Sequence, residues 1–374
     1  MKIKYILSSL LIIAVMLTLS VLAWMKAPGA TSESERRPLA QFPEISVDTV
    51  LSGKFTKEFE SYATDQFPFR DSFRTLKAIS KFYIFRQNDN NDIYIHDGYA
   101  AKLESTISDA SITNAVNKLN YLYKTYIEGK TSNVYLSIIP DKNTTLAGAG
   151  NYPSLDYNKL TESVVSGVPF AKYIDVFPLL HYTDYYKTDT HWSQEKIVDV
   201  AHAILDAMGA EKTSDYKEVT LDTDFYGVYY GQSSLPLPPD KITYLTNETI
   251  ENCKVYNYEG TDGVLENIKP SKVYNMDKLN SKDPYEMFLS GAVNLMRIVN
   301  EKNTSGKKLI IFRDSYTSSL APLMTEGYSE IILIDIRYLA SHFIGAFVSP
   351  EEFENADVLF LYSALILNQS MSFK

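Results

Sequence analysis

The stretch Leu309-Ile310-Ile311-Phe312-Arg313-Asp314-Ser315-Tyr316 indicates the fold class of this chain. Lys308–Phe312 is a short, almost entirely apolar run, which is typical of a strand buried on both faces of a parallel sheet. Tyr316–Met324 follows with the pattern of a short helix, in which Pro322 is an awkward late member. We therefore expect Ser315 where a strand ends and a helix begins, at the carboxyl edge of the sheet.

Similar apolar runs predict further strands, and segments with helical spacing lie between them. The predicted strands are Ile93–Ile95, Val134–Ile139, Tyr173–Phe177, Lys308–Phe312, Glu330–Asp335 and Ala356–Tyr362. The predicted helices include Phe73–Phe85 and Ile107–Tyr126. This alternation predicts an α/β fold, a three-layer α/β/α sandwich on a mostly parallel sheet.

The best-formed helical pattern begins at Ser193, a residue type suited to capping a helix. Apolar residues then recur on one helical face, at Ile197, Val200, Ala201, Ile204, Leu205 and Met208. Gly209 follows as a natural C-terminal stop. The pattern predicts a helix that packs this face against the sheet.

The composition is that of a globular chain of 374 residues, enough for one large domain or two smaller ones. A net charge of −10 argues against a nucleic-acid partner and against a polybasic membrane patch. The single cysteine, Cys253, excludes an intramolecular disulfide and a CxxC metal framework. The 28 Tyr and 18 Phe fit either a tyrosine-rich core and rim or aromatic platforms for sugars.

The N-terminus predicts a membrane anchor. Lys2 and Lys4 precede an uncharged run of 21 residues, Tyr5–Met25. A helix that rises about 1.5 Å per residue spans roughly 30 Å over this length, which is the thickness of the hydrocarbon core. The two lysines favour a cytoplasmic N-terminus, so we expect a single-pass cell-membrane protein with an extracytoplasmic working domain. A cleaved signal peptide, cut near Ala27–Ala30, is the alternative.

The chain is predicted to have three parts. Residues 1–26 form the anchor or an uncleaved signal, and residues 27–75 form a linker and N-terminal extension. Residues 76–374 form the α/β domain that would hold a catalytic site. Within it, the Tyr- and Pro-rich stretch at about 215–280 is predicted to be an irregular insertion of short strands and loops that could wall a cleft.

Ser315 is the candidate nucleophile, and a serine hydroxyl needs a base and a group that orients the base. The histidines available are His96, His181, His191, His202 and His342. Asp189 lies two residues before His191, a spacing that suits a tight turn joining carboxylate and imidazole. His181 with Asp184 is the rival pair. Helix capping by these residues is the structural alternative, and a metal site would need more ligands than the nearby carboxylates supply.

Asp189-Thr190-His191-Trp192 resembles the DHHW signature of a family of exported bacterial proteins, similar to the alginate O-acetylation proteins of SGNH-hydrolase type. Phe312–Tyr316 resembles the K/R-D-S-Y nucleophile motif of that family. As in the family, Asp and His precede Ser, whereas ordinary SGNH enzymes have the Ser first. Thr190 stands where the signature often has His, and Arg313 stands where ordinary SGNH enzymes have Gly. Further motif matches run in order along the chain, at Glu35–Ala40, Asp65–Arg70, Ile139–Lys142, Asp224–Gly227 and Asp335–Tyr338.

The resemblance implies a membrane-anchored, extracytoplasmic enzyme that transfers O-acetyl groups to a cell-surface or exopolysaccharide. It implies Ser315 as nucleophile, His191 as general base and Asp189 as the residue that orients His191, with no cofactor and no metal. The implied partner is a multipass membrane O-acyltransferase that delivers the acetyl group. Two alternatives remain, an acetylesterase of the same fold that uses water as acceptor and an inactive glycan-binding or scaffold module.

Five further residues are candidate oxyanion or substrate contacts. The Gly and Asn oxyanion donors of SGNH enzymes have no clear counterpart here, so Gly291, Asn294, Tyr316 and Arg337 are candidates only. Arg337 and Lys142 follow predicted strand ends. We expect these two cations either in the cleft or in ion pairs at the surface or the sheet end.

Overall fold

A seven-stranded sheet organises the computed structural model of the chain, which describes residues 2–260 and 263–374. The strands are β1 (Thr31–Ser32), β2 (Arg37–Pro38), β3 (Ile93–His96), β4 (Tyr99–Lys102), β5 (Val134–Ile139), β6 (Lys172–Tyr173), β7 (Lys217–Phe225), β8 (Asp240–Thr246), β9 (Lys254–Asn257), β10 (Leu295–Val299), β11 (Lys308–Arg313), β12 (Glu330–Ile334) and β13 (Asp357–Ser363). The order in the sheet is β6-β5-β13-β11-β12-β10-β9. The first five strands in this order pair parallel, and β10 pairs antiparallel with both of its neighbours. Three separate antiparallel pairs are β1–β2, β3–β4 and β7–β8.

The helices lie between the strands, as the alternating pattern predicts. The α-helices are α1 (Lys2–Met25), α2 (Val47–Leu51), α3 (Lys54–Asp65), α4 (Arg70–Ile79), α5 (Asp109–Leu122), α6 (Asn143–Gly150), α7 (Tyr157–Gly167), α8 (Val198–Met208), α9 (Val228–Ser233), α10 (Glu248–Asn252), α11 (Thr317–Leu320) and α12 (Ala364–Leu367). Single π-helical turns, Ser80–Ile84 and Tyr123–Ile127, continue α4 and α5. The 3₁₀ helices are Phe177–Leu179, Tyr182–Asp184, Gln194–Lys196, Leu265–Asn267, Met276–Asn280, Pro284–Met287, Ala321–Gly327, Ser341–Ala346, Pro350–Phe353 and Ser370–Ser372.

The central sheet has a core on each face, because successive side chains of a strand point to opposite sides. Leu309 and Ile311 of β11 pack in one core with the apolar face of α8. Ile310 and Phe312 pack in the other core with α5 and α7. Both cores are closed to solvent, so the predicted three-layer α/β/α arrangement with a mostly parallel sheet is confirmed.

One strand prediction needs correction, and one strand was not predicted. Tyr173–Phe177 was expected as one strand, but β6 is only Lys172–Tyr173 and Phe177 begins a 3₁₀ helix. The side chain of Asp175 accepts the N–H of Phe177 at 3.0 Å, and this turn ends the strand. The antiparallel strand β10 was not predicted, and β9, its other neighbour in the sheet, lies inside the stretch that was expected to be an insertion.

The predicted helices are present in the structure, but some of them begin or end at other residues than predicted. Ser193 makes no side-chain capping bond, and Gln194–Lys196 is a 3₁₀ turn before α8 begins at Val198. Gly209 ends α8 with a φ of 61°, as predicted. The helix after Ser315 stops being α-helical where Pro322 has no N–H to donate, and it continues as a 3₁₀ helix.

The chain divides into two compact units. One holds the residues up to Asn91 together with Tyr230–Leu237, and the other holds Asp92–Tyr229 and Pro238–Lys374. α4 and its π turn belong to the first unit, and the predicted boundary at residue 76 stays a prediction. Arg74 of α4 donates to the carbonyl of Gly231 at 2.8 Å, which ties both pieces of that unit together. The functional assignment of the predicted domains stays a prediction.

Two of the matched motifs bind each other within the first unit. Arg37 donates to both oxygens of Asp65, at 2.8 and 2.6 Å, and these bonds lower the pKa of Asp65 to about 2. Gln66 binds the backbone of Gly29 at 2.8 and 2.9 Å and the carbonyl of Ala40 at 3.0 Å. The Glu35–Ala40 and Asp65–Arg70 stretches therefore have a structural role in this unit.

The N-terminal helix α1 is exposed along its length and carries no charge between Tyr5 and Met25. Its segment Ile3–Met25 is long and apolar enough to cross a membrane. A signal sequence meets the same criterion.

Candidate active site

Three side chains form a hydrogen-bonded row at the carboxyl edge of the sheet, just after β11. Ser315 Oγ lies 2.8 Å from His191 Nε2, and His191 Nδ1 lies 2.6 Å from Asp189 Oδ1. Because a carboxylate only accepts, Nδ1 carries a hydrogen, and when the ring is neutral its Nε2 is an acceptor for the Ser315 hydroxyl. Asp189 and His191 are buried, and Ser315 is half-buried. The row has the geometry of a nucleophile, a base and an orienting carboxylate.

A tight turn joins Asp189 to His191, in agreement with their two-residue spacing. Asp189 Oδ1 also accepts the backbone N–H of His191 at 3.0 Å, which closes the turn. At the base of the turn Tyr185 pairs with Trp192, and the N–H of Tyr186 donates to the carbonyl of His191 at 3.1 Å. The local backbone therefore positions carboxylate and imidazole relative to each other.

The segment after β7 holds the second oxygen of Asp189. Asp189 Oδ2 accepts the N–H of Val228 at 2.8 Å. Gly227 permits this approach, because a Cβ at that position would lie 2.3 Å from the Cβ of Asp189 and 2.4 Å from the carbonyl oxygen of Thr188. The Asp224–Gly227 motif match thus has a physical reason, which is close contact with the acidic residue of the row.

Buried polar groups support the turn that carries Ser315. Asp314 accepts the N–H of Tyr316 at 3.1 Å and the N–H of Ser363, at the end of β13, at 2.7 Å. Arg313 is fully buried and donates to Ser318 Oγ at 2.9 Å, and burial lowers the pKa of its guanidinium. In the part of the chain that the structure describes, the N–H of Ser315 has no hydrogen-bond acceptor. This N–H is therefore free to donate to an oxyanion on a bound acyl group.

Aromatic rings surround the imidazole of His191. Tyr285 stacks on it with the ring centroids 3.9 Å apart and the planes 9° apart, and Tyr316 lies at 4.9 Å in a tilted arrangement. The Tyr285 hydroxyl is 2.9 Å from Ser319 Oγ, which also accepts the indole N–H of Trp192 at 2.9 Å. Burial raises the pKa of Tyr285. The candidate base thus lies in a largely dry, aromatic environment.

The rival pair of His181 and Asp184 is arranged differently. Asp184 accepts the backbone N–H of His181 at 2.7 Å, and the pair caps a 3₁₀ turn. His181 is exposed, whereas His191 is buried against Ser315. Among residues 2–260 and 263–374, no group of three or more His, Cys, Asp or Glu side chains is placed to hold a metal ion.

The candidate oxyanion contacts have other partners in this structure. The Tyr316 hydroxyl donates to the carbonyl of Thr190 at 2.7 Å. Gly291 uses its N–H within its own turn, and the side-chain oxygen of Asn294 accepts the N–H of the next residue at 2.7 Å. Arg313 reaches the carbonyl of Gly291 at 3.4 Å, which links this loop to the turn of Ser315. Their roles towards substrate stay predictions.

The two candidate cations differ from each other. Arg337 makes a bidentate ion pair with Asp335 at 2.9 and 2.6 Å, one of the two settings expected for it. Lys142 is buried and donates to the carbonyls of Ala100 at 2.9 Å and Tyr186 at 2.5 Å, and its expected role in the cleft stays a prediction. Burial lowers the pKa of Lys142 to about 8. Lys142 therefore positions the segment that leads to His191.

Sequence analysis did not identify Tyr285, Gly227 or Val228 as parts of the site. Gly227 belongs to the matched motif Asp224–Gly227. This match could have pointed to the site, but the sequence alone predicted no role for the glycine. Val228 contributes only a backbone N–H, which no residue type reveals. Tyr285 is one tyrosine among many and lies far from His191 along the chain, so its neighbours in sequence give no indication of the stacking.

No protein-family model matches this chain, and no curated protein matches it. Solved structures do match. A DHHW family protein from Eubacterium siraeum is similar over 76% of this chain and 94% of its own, with a TM-score of 0.61 and 20% identity. Bacillus cereus PatB1, solved with a sulfonyl adduct, is similar over 74% of this chain and 95% of its own, with a TM-score of 0.57 and 16% identity. These two likenesses show a shared fold.

A third solved structure is more distant. The O-acetyltransferase domain of Pseudomonas putida AlgJ is 10% identical, with a TM-score of 0.44, over 74% of this chain and 92% of its own.

Proposed function

We propose that this protein transfers O-acetyl groups to a cell-surface or exopolysaccharide through an acetyl-Ser315 intermediate. The observation that carries the proposal is the hydrogen-bonded row of Ser315, His191 and Asp189. A serine hydroxyl becomes a useful nucleophile when a base accepts its proton and a third group orients the base. The fold shared with a DHHW family protein and the motifs around His191 and Ser315 support the same proposal.

In the first half-reaction, Ser315 Oγ attacks the carbonyl carbon of the donated acetyl group, and its proton passes to His191 Nε2. Asp189 accepts from Nδ1 and stabilises the imidazolium that forms. The carbonyl oxygen becomes an oxyanion, to which the N–H of Ser315 donates. On collapse, the leaving group of the donor takes the proton from Nε2, and the acetyl group remains as an ester on Ser315.

In the second half-reaction, a sugar hydroxyl gives its proton to Nε2 and attacks the ester carbonyl. Ser315 Oγ leaves and recovers that proton, so the enzyme returns to its starting state. Water in place of the sugar would release acetate, which is the esterase reaction. The motif resemblance to O-acetylation proteins favours the sugar acceptor.

We propose that α1 holds the enzyme at the outer face of the cell membrane, since it is long and apolar enough to span the bilayer. The acetyl donor then has to reach the outer face. A multipass membrane O-acyltransferase that delivers the acetyl group is the partner we expect.

Ser315→Ala is the first test, made on the full-length chain. We expect hydrolysis of p-nitrophenyl acetate to fall by a factor on the order of 10⁴ or more, because the nucleophile is lost. The O-acetyl content of the surface polysaccharide should fall to background in cells that make only this variant. His191→Ala should behave alike, and His181→Ala is the matched control that should retain activity.

Covalent labelling tests the nucleophile directly. Because PatB1 was solved with a sulfonyl adduct, phenylmethylsulfonyl fluoride is a suitable probe. Peptide mass spectrometry should find the adduct on Ser315, and His191→Ala should slow its formation. Unchanged polysaccharide acetylation in Ser315→Ala would overturn the catalytic proposal and favour a glycan-binding module. Ester hydrolysis without any transfer to polysaccharide would make the protein an esterase.

A further inference from the structure

Exposed apolar side chains are concentrated in the first unit. Beyond α1, twelve large apolar residues from Phe42 to Phe85 are exposed, against nine among the described residues of the second unit. Scattered exposed apolar residues need no explanation, but a concentration of them marks a surface that binds something. The first unit therefore presents an apolar surface that its own fold leaves uncovered.

The most regular part of this surface follows α4 and the π turn that continues it. Phe73, Leu76 and Tyr83 recur at helical spacing and are all exposed, Tyr83 at 70%. The cations Arg74, Lys77 and Lys81 form a second row at helical spacing. The opposite side, which includes Ala78, is buried in the unit. The helix thus carries an exposed apolar row with a row of cations beside it.

An open groove of about 1070 Å³ runs beside the apolar row. Phe59, Phe67 and Phe73 supply aromatic walls, and both cations (Arg70, Arg74, Lys77) and carboxylates (Glu35, Glu60) line it. The groove therefore extends the apolar surface beside α4.

The local charge points to an anionic partner, although the chain as a whole is acidic. Arg70–Arg86 contains five cationic residues and one acidic residue, while the chain carries −10. Glu35 and Asp71 pair with Arg70 and Arg74. In the described part of the chain no carboxylate pairs with Lys81 or Arg86, so these cations are available to a partner.

We propose that the row from Phe69 to Arg86 lies on an anionic lipid surface, as a second membrane contact besides α1. An exposed apolar row flanked by cations is the pattern of a helix that lies in the bilayer interface. Lipid is favoured over a protein partner because α1, in the same unit, is long enough to span a bilayer and would keep this row near headgroups. Aromatic rings and adjacent cations suit the interfacial region and its anionic lipids. This inference rests on the membrane anchoring by α1 proposed above, and it does not depend on the proposed acetyl transfer.

The test uses the full-length chain with a single nitroxide label, reconstituted in vesicles. Leu76→Cys and Tyr83→Cys place the label in the apolar row, and Met371→Cys, also 70% exposed, is the matched control in the second unit. The native Cys253 is buried and its pKa is raised to about 12, so it should not label. In vesicles of phosphatidylcholine with phosphatidylglycerol, we expect aqueous nickel relaxer to reach positions 76 and 83 several-fold less than position 371.

Charge and occupant are tested with the same labels. In the labelled Leu76→Cys protein, adding Lys81→Glu and Arg86→Glu should increase the access of the nickel relaxer to position 76. Without these two substitutions, position 76 should be less accessible to the relaxer in anionic vesicles than in neutral ones. Equal access at positions 76, 83 and 371 in anionic vesicles would overturn the proposal. Protection in native membranes but not in pure lipid would also overturn it, and would identify a membrane protein as the occupant.

Discussion

Tyr285 is the residue whose contact with the candidate base is least visible in sequence. Its ring lies parallel to the His191 imidazole at 3.9 Å, so it restricts the imidazole on one side. In the proposed reaction His191 takes a proton, and the ring face of Tyr285 would then lie next to a cation, a favourable arrangement in a buried site. Tyr285 should therefore act on the base through its ring rather than through its hydroxyl.

We predict that Tyr285→Leu lowers kcat roughly tenfold, because a buried cation–π contact contributes about 1–2 kcal/mol and about 1.4 kcal/mol corresponds to tenfold in rate. Tyr285→Phe keeps the stacked ring and loses only the hydroxyl contact with Ser319, so kcat should stay near that of the wild type. Hydrolysis of p-nitrophenyl acetate over a range of concentrations separates kcat from KM, and KM should change little in either variant. An equal loss of kcat in both variants would assign the effect to the hydroxyl instead.

The residues of the row differ in how far sequence alone could identify them. His191 was identifiable because few histidines exist and an aspartate lies two residues before it, so a local turn suffices to join the two. Ser315 was identifiable from the apolar run that precedes it. A hydrogen bond between residues 124 positions apart cannot be predicted from the local sequence of either residue. The contact between His191 and Ser315 was therefore expected only because of the motif resemblance.

At the scale of elements, the segment between β7 and α9 acts as a clamp on the turn of Asp189. Gly227 brings the backbone close enough for the N–H of Val228 to reach the carboxylate, and the N–H of Tyr229 donates to the carbonyl of Thr188 at 2.9 Å. Two successive N–H groups thus fix the acidic end of the row. Any side chain at position 227 would have to displace one of the two segments.

We predict that Gly227→Ala impairs activity although it adds one methyl group. Its Cβ would lie 2.3 Å from that of Asp189, so the two segments must separate and the bond from Val228 must lengthen. We expect turnover of p-nitrophenyl acetate to fall by about 10² or more, as misplacement of about 1 Å can cost that much. Gly148→Ala is the matched control, because among the described residues no atom beyond its chain neighbours and the adjacent backbone of its own helix lies within 4 Å of an added Cβ. Full activity in Gly227→Ala would show that the clamp is dispensable.

The central-sheet strands that sequence predicted correctly are those buried on both faces. β5, β11, β12 and β13 are apolar along their length, which is a strong local signal. β10 contains Arg297 in its centre, and this charge interrupts the apolar run from which the other strands were predicted. In the structure Arg297 is bound by Glu330 at 2.8 Å and by Glu352, partners that no local pattern supplies. The apolar runs used to find parallel strands therefore could not predict β10 or its antiparallel pairing with its neighbours.

At the scale of the whole molecule, charge averages conceal local differences. The net charge of −10 argued against a basic membrane patch, yet Arg70–Arg86 is locally basic and lies beside exposed apolar residues. The interior of the second unit likewise holds a lysine, Lys142, which is surrounded by the rings of Tyr99 and Tyr229 and by two carbonyls. Burial makes the charged form of this lysine costly, and the free energy of unfolding of the molecule should depend on pH because of it.

The sign of that pH dependence follows from the lowered pKa of Lys142, about 8 against an ordinary 10.5. Below about pH 8 Lys142 is charged in both states, so the folded state bears the full cost of burial. Between about pH 8 and 10.5 the unfolded chain holds a proton that the folded chain has released, so stability rises with pH. Chemical denaturation of wild type and Lys142→Met should be measured from pH 7 to 10. Over this range we expect the unfolding free energy of the wild type to rise relative to that of the variant. Lys187→Met removes an exposed lysine over the same Tyr99 ring and is the matched control variant. A difference between wild type and Lys142→Met that stays constant with pH would mean that Lys142 stays charged in the folded protein up to pH 10.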